Sequence, residues 1–325
     1  MNLQEFSFPS ATGVCTVSAC AYLPETETEA VLVIHHGMAE HRERYEPFIS
    51  FLCSRGVAVY MHDMANHGTS NEKTDDTGWF GEKDGWKGLI EDYRTMVKRA
   101  AEKHPGKKQI VMGHSMGSFL CRLYTAQYPE DGFAGAIFMG TGGANGAAGA
   151  GILIAKAIAA VKGKKHKSAL LNQVAFGTYN TRFEGRTDFD WLTRDREIVD
   201  RYIADPYCGY LFTVQGMEDL IRANAASNAK DWYEKVPKDL PVLLVSGEED
   251  PVGDYGAGVR HVADRLKETG HTKVTLKLYP GCRHEVLNET NRQEVMEDLL
   301  AWISTVPETR QIHCQNCICK GKRVK

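Results

Sequence analysis

The stretch Ile110–Phe119, IVMGHSMGSF, constrains this chain more than any other ten residues in it. An apolar, strand-like run passes through Gly113-His114-Ser115-Met116-Gly117 and continues at once as a helix-like segment from Met116 to Tyr128, stopped at Pro129. So tight a turn between strand and helix needs glycine at positions 113 and 117, because a bulkier side chain there would strike the adjoining strand or helix. It lifts Ser115 off the strand end, and the helix start turns unpaired N–H groups, which favour negative charge, toward it. The pattern is G-x-S-x-G. Its context, strand before and helix after, marks Ser115 as a nucleophile rather than a serine buried in an ordinary turn.

The elbow sits in a regular alternation. AVLVIHHG, VAVYMHD, QIVMG, FAGAIFMG, PVLLVSG and KVTLKLYP read as short, continuously apolar strands, of the kind covered on both faces. Helical periodicity lies between them, in YEPFISFLCSRG, GLIEDYRTMVKRAAEKHPG, GVRHVADRLKETG and RQEVMEDLLAWI. GVCTVSACAYL reads as an edge strand or hairpin. Strand–helix alternation predicts an α/β fold with a mostly parallel sheet flanked by helices. The rhythm breaks between Thr141 and Pro237, where a Gly/Ala-rich start leads into helical pieces without strands. We therefore expect a core from 1–140 and 238–308, a helical cap inserted at 141–237, and a flexible tail at 309–325.

A serine is a poor nucleophile unless a base takes its proton and an acid orients that base. With an elbow of this kind the chain order is serine, acid, histidine. The acid falls in GEEDPVG, directly after the strand PVLLVSG. Asp250 is preferred because Pro251 fixes the turn there, with Glu248 and Glu249 as alternatives. The base falls in GCRHEVLNE, after the last strand. Of twelve histidines, His284 alone combines that position with the required order. An oxyanion needs two N–H donors. One is expected from the backbone of Met116, the residue after the nucleophile, and the other from Met38 in HHGMAEHRERY. That loop also gathers His35, His36, Glu40 and His41. A metal cluster is the weaker reading of them, since a serine triad makes a metal unnecessary.

The chain has nine cysteines, an odd number, six of them scattered through the body: Cys15, Cys20, Cys53, Cys121, Cys208 and Cys282. This favours free thiols in a reducing compartment, here the cytoplasm, over a disulfide framework. Cys314, Cys317 and Cys319, with His313, nominally supply four zinc ligands, but their spacing is cramped and a flexible tail is the expectation. Net charge is −3, which gives no reason to expect a nucleic-acid partner. The start, MNLQEFSFPSATG, lacks the basic and apolar regions of a secretory signal, and no run of eighteen apolar residues reads as a membrane span.

Five motifs together resemble the monoacylglycerol lipase and lysophospholipase group of the α/β-hydrolases: HGMAEHRERY (36–45), DMANHGTS (63–70), GHSMGS (113–118), GEEDPVG (247–253) and RHEVLNE (283–289). The resemblance implies a Ser115–Asp250–His284 triad, Met38 and Met116 as oxyanion donors, no cofactor and no metal. It also implies a small-molecule acyl ester or lipid substrate, with no obligate protein partner. Two positions depart from the family pattern. Ala39 stands where glycine is common, and Asn66-His67-Gly68 stands where Gly-His-Gly is common; asparagine tolerates positive φ better than most residues. Alternatives within the fold are a short-chain carboxylesterase and an amidase or aminopeptidase, the last depending on the acids Glu184, Asp188 and Asp190. A non-catalytic relative would have lost a triad member. The segment Ala147–Lys167 reads as an apolar helix followed by Lys162, Lys164, Lys165 and Lys167. It is expected to lie above Ser115 as the roof of the acyl pocket, with at most weak peripheral membrane contact.

Overall fold

A computed structural model describes residues 1–71 and 74–308. Eight strands form one sheet: β1 (Asn2–Pro9), β2 (Thr16–Leu23), β3 (Ala30–His35), β4 (Val57–His62), β5 (Lys108–His114), β6 (Gly135–Met139), β7 (Val242–Gly247) and β8 (Val274–Tyr279). Their spatial order is β1-β2-β4-β3-β5-β6-β7-β8. β1 and β2 are antiparallel, as are β2 and β4, and every other neighbouring pair is parallel. β1 is an addition to the sequence reading. It carries little apolar burial and is held by its full backbone ladder to β2, so its sequence shows no strong period.

Residues of β3 alternate between two cores, as a strand covered on both faces must. Val31 and Val33 join the cluster under α2 (Gly85–Lys103), α3 (Met116–Gln127) and α9 (Ala257–Glu268). Leu32 and Ile34 join the one under α1 (Glu46–Cys53) and α10 (Arg292–Thr305). The chain visits β3 and β4, then returns across β3 to β5. The loops after β3 and β5 therefore leave the sheet side by side at the point where strand order reverses, the place where open α/β sheets form their binding crevice.

Between β6 and β7 lie five helices: α4 (Ala148–Lys162), α5 (Ala169–Phe176), α6 (Arg196–Ala204), α7 (Val214–Ser227) and α8 (Lys230–Lys235). α7 packs on α3, and α4 packs on α7, with Gly151 against Ile221. α4 thus lies a layer further out than its expected place above Ser115. The six described cysteines are all free. The tail with its Cys/His cluster lies outside the described residues. No described helix is long and apolar enough to cross a membrane.

Candidate active site

Ser115 sits at φ 53° and ψ −121°, immediately before α3. A residue with a side chain adopts that conformation only under constraint, and strain of this kind is stored where surrounding structure over-determines it. The constraint comes from both flanking glycines. A Cβ on Gly113 would lie 2.2 Å from the Gly117 carbonyl oxygen, and one on Gly117 would lie 2.2 Å from that of His35. The Ser115 N–H donates to the Met139 carbonyl at 2.9 Å, which ties the elbow to the end of β6.

Asp250 and His284 come together as the chain order requires. Asp250 is fully buried, and its Oδ1 lies 3.0 Å from His284 Nδ1. It also accepts from the Val252 N–H at 2.9 Å and the Ser246 hydroxyl at 2.8 Å. Burial alone would raise its pKa, but His284 and these donors outweigh burial and hold the carboxyl below the usual range. Glu248 and Glu249 are not hydrogen-bonded to His284. The elbow and the His284 ring approach each other around Gly140, where an added Cβ would lie 3.0 Å from His284 Cε1 and 3.1 Å from His114 Nε2. Among the described residues no hydrogen bond joins Ser115 Oγ to His284 Nε2.

The loop after β3 is aimed by its histidine. The Met64 N–H donates to His36 Nε2 at 2.9 Å, so Nδ1 carries the ring proton and donates to the Gly37 carbonyl at 2.8 Å. A trans peptide is planar, so a Gly37 carbonyl held on one side turns the Met38 N–H to the other. Ala39 takes a left-handed conformation, φ 50°, and Asn66 takes φ 54°; both departures from the family pattern keep the backbone that glycine would adopt. Ala39 is held there by two donors to its carbonyl, Gly209 N–H at 3.0 Å and the Tyr202 hydroxyl at 3.1 Å.

The histidines and acid of HHGMAEH do not converge on one point. His36 is occupied as described, and His35 stacks on Tyr93 at 4.7 Å. Glu40 Oε1 accepts from the Gly37 N–H at 2.6 Å, the Tyr45 hydroxyl at 2.8 Å and His114 Nδ1 at 3.1 Å. Its Oε2 accepts from Arg44, whose guanidinium also grips Glu285 through two bonds of 2.6 Å. His41 turns away to Asp205.

Residues 26–291 match the family described as serine aminopeptidase, S33. The chain belongs to this family of α/β-hydrolases. It is 32% identical to a monoacylglycerol lipase of Mycolicibacterium smegmatis over 92% of this chain and 96% of the relative. It is 24% identical to human monoglyceride lipase over 88% of this chain and 86% of the relative. A thermostable carboxyl esterase from Bacillus coagulans, solved in complex with glycerol, superposes with a TM-score of 0.88 at 30% identity, covering 94% of this chain and 99% of that one.

Two features of this hydrolase were not legible as site residues in the sequence. One is the buried network Glu40–His114–Arg44–Glu285. It joins the loop after β3, the elbow and the His284 loop through carboxylates whose partners are far apart in sequence. His114 is buried, which disfavours its charged form, but its bond to Glu40 and the nearby carboxylates more than offset this and raise its pKa. The other is the stretch 184–195. Its Trp191 ring lies 5.1 Å from the His284 ring, and the Glu285 N–H donates to the Leu192 carbonyl at 2.8 Å. Arg194 then pairs with the buried Glu289 at 2.8 Å. A lone tryptophan between aspartate and leucine carries no periodic or motif signal.

Proposed function

We propose that this α/β-hydrolase cleaves carboxylic esters of monoacylglycerol-like lipids through Ser115, His284 and Asp250. The observation that carries the reading is the buried Asp250–His284 pair at 3.0 Å beside a serine held at φ 53°. In the reaction Ser115 Oγ attacks the acyl carbon as its proton passes to His284 Nε2. Asp250 keeps the Nδ1 proton in place and stabilises the imidazolium. The Met38 and Met116 N–H groups receive the developing oxyanion. His284 returns the proton to the departing alcohol, and water then releases the acid from Ser115 by the same steps. The Ser115–His284 hydrogen bond forms as substrate closes the site, as such bonds commonly tighten in the Michaelis complex.

We read residues 141–237 as a cap that sets substrate choice. Leu153, Val161, Leu170 and Val174 of α4 and α5 are exposed, which suits a greasy substrate delivered from a lipid surface. The basic cluster beside them is largely committed elsewhere: Lys164 pairs with Glu82, Lys165 with Asp76 at 2.6 Å, and Lys167 with the Thr77 hydroxyl. Lipid contact is therefore assigned to the apolar face rather than to the lysines.

An aminopeptidase needs a free carboxylate for the substrate ammonium. Glu184 is paired with Arg283 at 2.9 Å, and Asp190 accepts from the Arg186 and Thr187 N–H groups and from the Thr187 hydroxyl. Glu184 is exposed despite its pairing, and Asp188 is exposed as well. The ester reading is thus favoured. Turnover of monoacylglycerols, lysophospholipids, p-nitrophenyl esters and aminoacyl anilides, each over a chain-length series, tests it. The expected order places monoacylglycerols first and anilides last; faster anilide cleavage overturns it.

A further inference from the structure

We propose that His41, Asp205 and Cys208 form a site for a soft divalent cation of the zinc class, apart from the Ser115 centre and unnecessary for its chemistry. The three residues come from two segments of chain. His41 ends the loop after β3; Asp205 follows α6, and Cys208 lies in the turn after it. His41 Nε2 and Asp205 Oδ2 are 2.8 Å apart, and one ligand atom from each of His41, Asp205 and Cys208 lies within 4.8 Å of the other two.

Those separations bring three donors within reach of one ion. Around a tetrahedral zinc with ligand lengths of about 2.0 to 2.3 Å the ligand atoms lie about 3.3 to 3.5 Å apart, so binding parts His41 from Asp205 by about half an ångström and draws Cys208 in by up to about 1.3 Å. The donor set, imidazole, carboxylate and thiolate, is the one zinc selects, and three protein ligands leave a fourth position for water.

The site is also preorganised. The Cys208 N–H donates to the Asp205 carbonyl at 3.0 Å, and Asp205 Oδ1 accepts from the Tyr207 N–H at 2.8 Å, which fixes the turn. The Gly209 N–H reaches the Ala39 carbonyl at 3.0 Å, so the turn is already fastened to the loop that carries His41. His41 and Cys208 are buried, while the Asp205 side chain is 29% exposed and opens the entry path.

On binding, the metal takes the place of the hydrogen bond between His41 and Asp205. The imidazole proton moves to Nδ1, and the thiol proton leaves to solvent as the metal–sulfur bond forms. The ion then ties the turn after α6 to the loop bearing Met38.

The test uses the full-length chain carrying C314S, C317S and C319S, so that the tail thiols do not contribute. Cobalt(II) is titrated as a spectroscopic stand-in, and zinc affinity is measured against a chromophoric chelator. One cobalt per chain is expected, with a sulfur-to-cobalt charge-transfer band and the intense visible bands of a four-coordinate ion. C208S should abolish the charge-transfer band, and D205N should weaken zinc binding at least tenfold. Added zinc should raise the melting temperature of the parent and of neither variant. Circular dichroism establishes that each variant is folded; should C208S fail to fold, D205N decides by the same affinity. Absence of stoichiometric binding, or binding unchanged in the folded variants, overturns the proposal.

Discussion

The loops that follow β3, β5, β7 and β8 differ from helices α4 and α5 in how they use polar and apolar surface. In the loops, polar side chains are buried and bonded to one another: Glu40 alone has four partners, and Asp250 three. In α4 and α5 Ala155 and Leu171 are buried and Ile158 and Phe176 pack against the core, while Leu153, Val161, Leu170 and Val174 face outward. A half-satisfied buried polar network costs more than no network, so the loops have one workable arrangement and are held to it. An exposed apolar face has no such penalty to enforce a single geometry. The proposed chemistry thus rests on a part of the fold that cannot easily vary, and the proposed substrate choice on a part that can.

The largest expected effect lies on the rigid side. Asp250→Asn should leave the fold intact and lower kcat by about 10⁴, the loss that the handling of the imidazole tautomer accounts for in a serine protease. Steady-state rates with a short-chain ester check this, and near-normal turnover would shift the acid to Glu248 or Glu249.

Glu40→Gln comes next. It keeps one acceptor oxygen but removes the charge that Arg44 and His114 share. A fall in kcat of about 10²-fold is expected, the order of losing one oxyanion donor, with KM nearly unchanged. A rise in KM alone would mean that Glu40 serves substrate binding and would blur the distinction between the two regions.

A third expectation concerns pH. Burial, with the neighbouring His36 adding to it, pushes His62 and His67 down to about 3. Both are therefore neutral in the folded protein and protonated below about 6.5 when unfolded. Their stabilisation is present above that value and lost as pH falls toward the folded pKa. Each histidine should cost about 2 kcal/mol between pH 8 and pH 5. Urea unfolding at the two pH values measures the drop, and His62→Gln should reduce it by that amount. A drop unchanged by the substitution would assign the acid sensitivity to other groups.

The smallest effects belong to α4 and α5. Leu153→Ser with Val174→Ser should move stability by no more than about 0.5 kcal/mol, as for exposed positions generally. The pair should lower activity on long-chain monoacylglycerol presented in vesicles several-fold while sparing soluble short-chain esters. Equal loss on both would show that α4 and α5 do not govern access of lipid.

The same contrast explains what the sequence discloses. The strands β3 to β8, the elbow and the pairing of Asp250 with His284 were readable, because each follows from a local pattern: an apolar run, a glycine spacing, a loop at a strand end. The left-handed backbone at Asn66 was foreseeable from the residue itself. Glu40, His114 and Trp191 were not, since what they do depends on partners brought by other loops. Glu285 lies far along the chain from Arg44, and no period connects them. β1 escaped because an edge strand can be held by its backbone alone. The place of α4 escaped because a small residue, Gly151, let it pack on α7, and nothing in a helix's own sequence names its neighbour.

The central claim is that Ser115 is the covalent nucleophile, and intact-mass analysis after treatment with a fluorophosphonate tests it most directly. One adduct per chain is expected on the parent protein, mapping to the peptide that contains Ser115, with loss of ester hydrolysis in proportion to labelling. Ser115→Ala should take up none while unfolding at the same temperature or higher, since alanine relieves none of the constraint from Gly113 and Gly117 but removes a polar group. Labelling of equal stoichiometry in Ser115→Ala, or full activity in the fully labelled parent, would contradict the account.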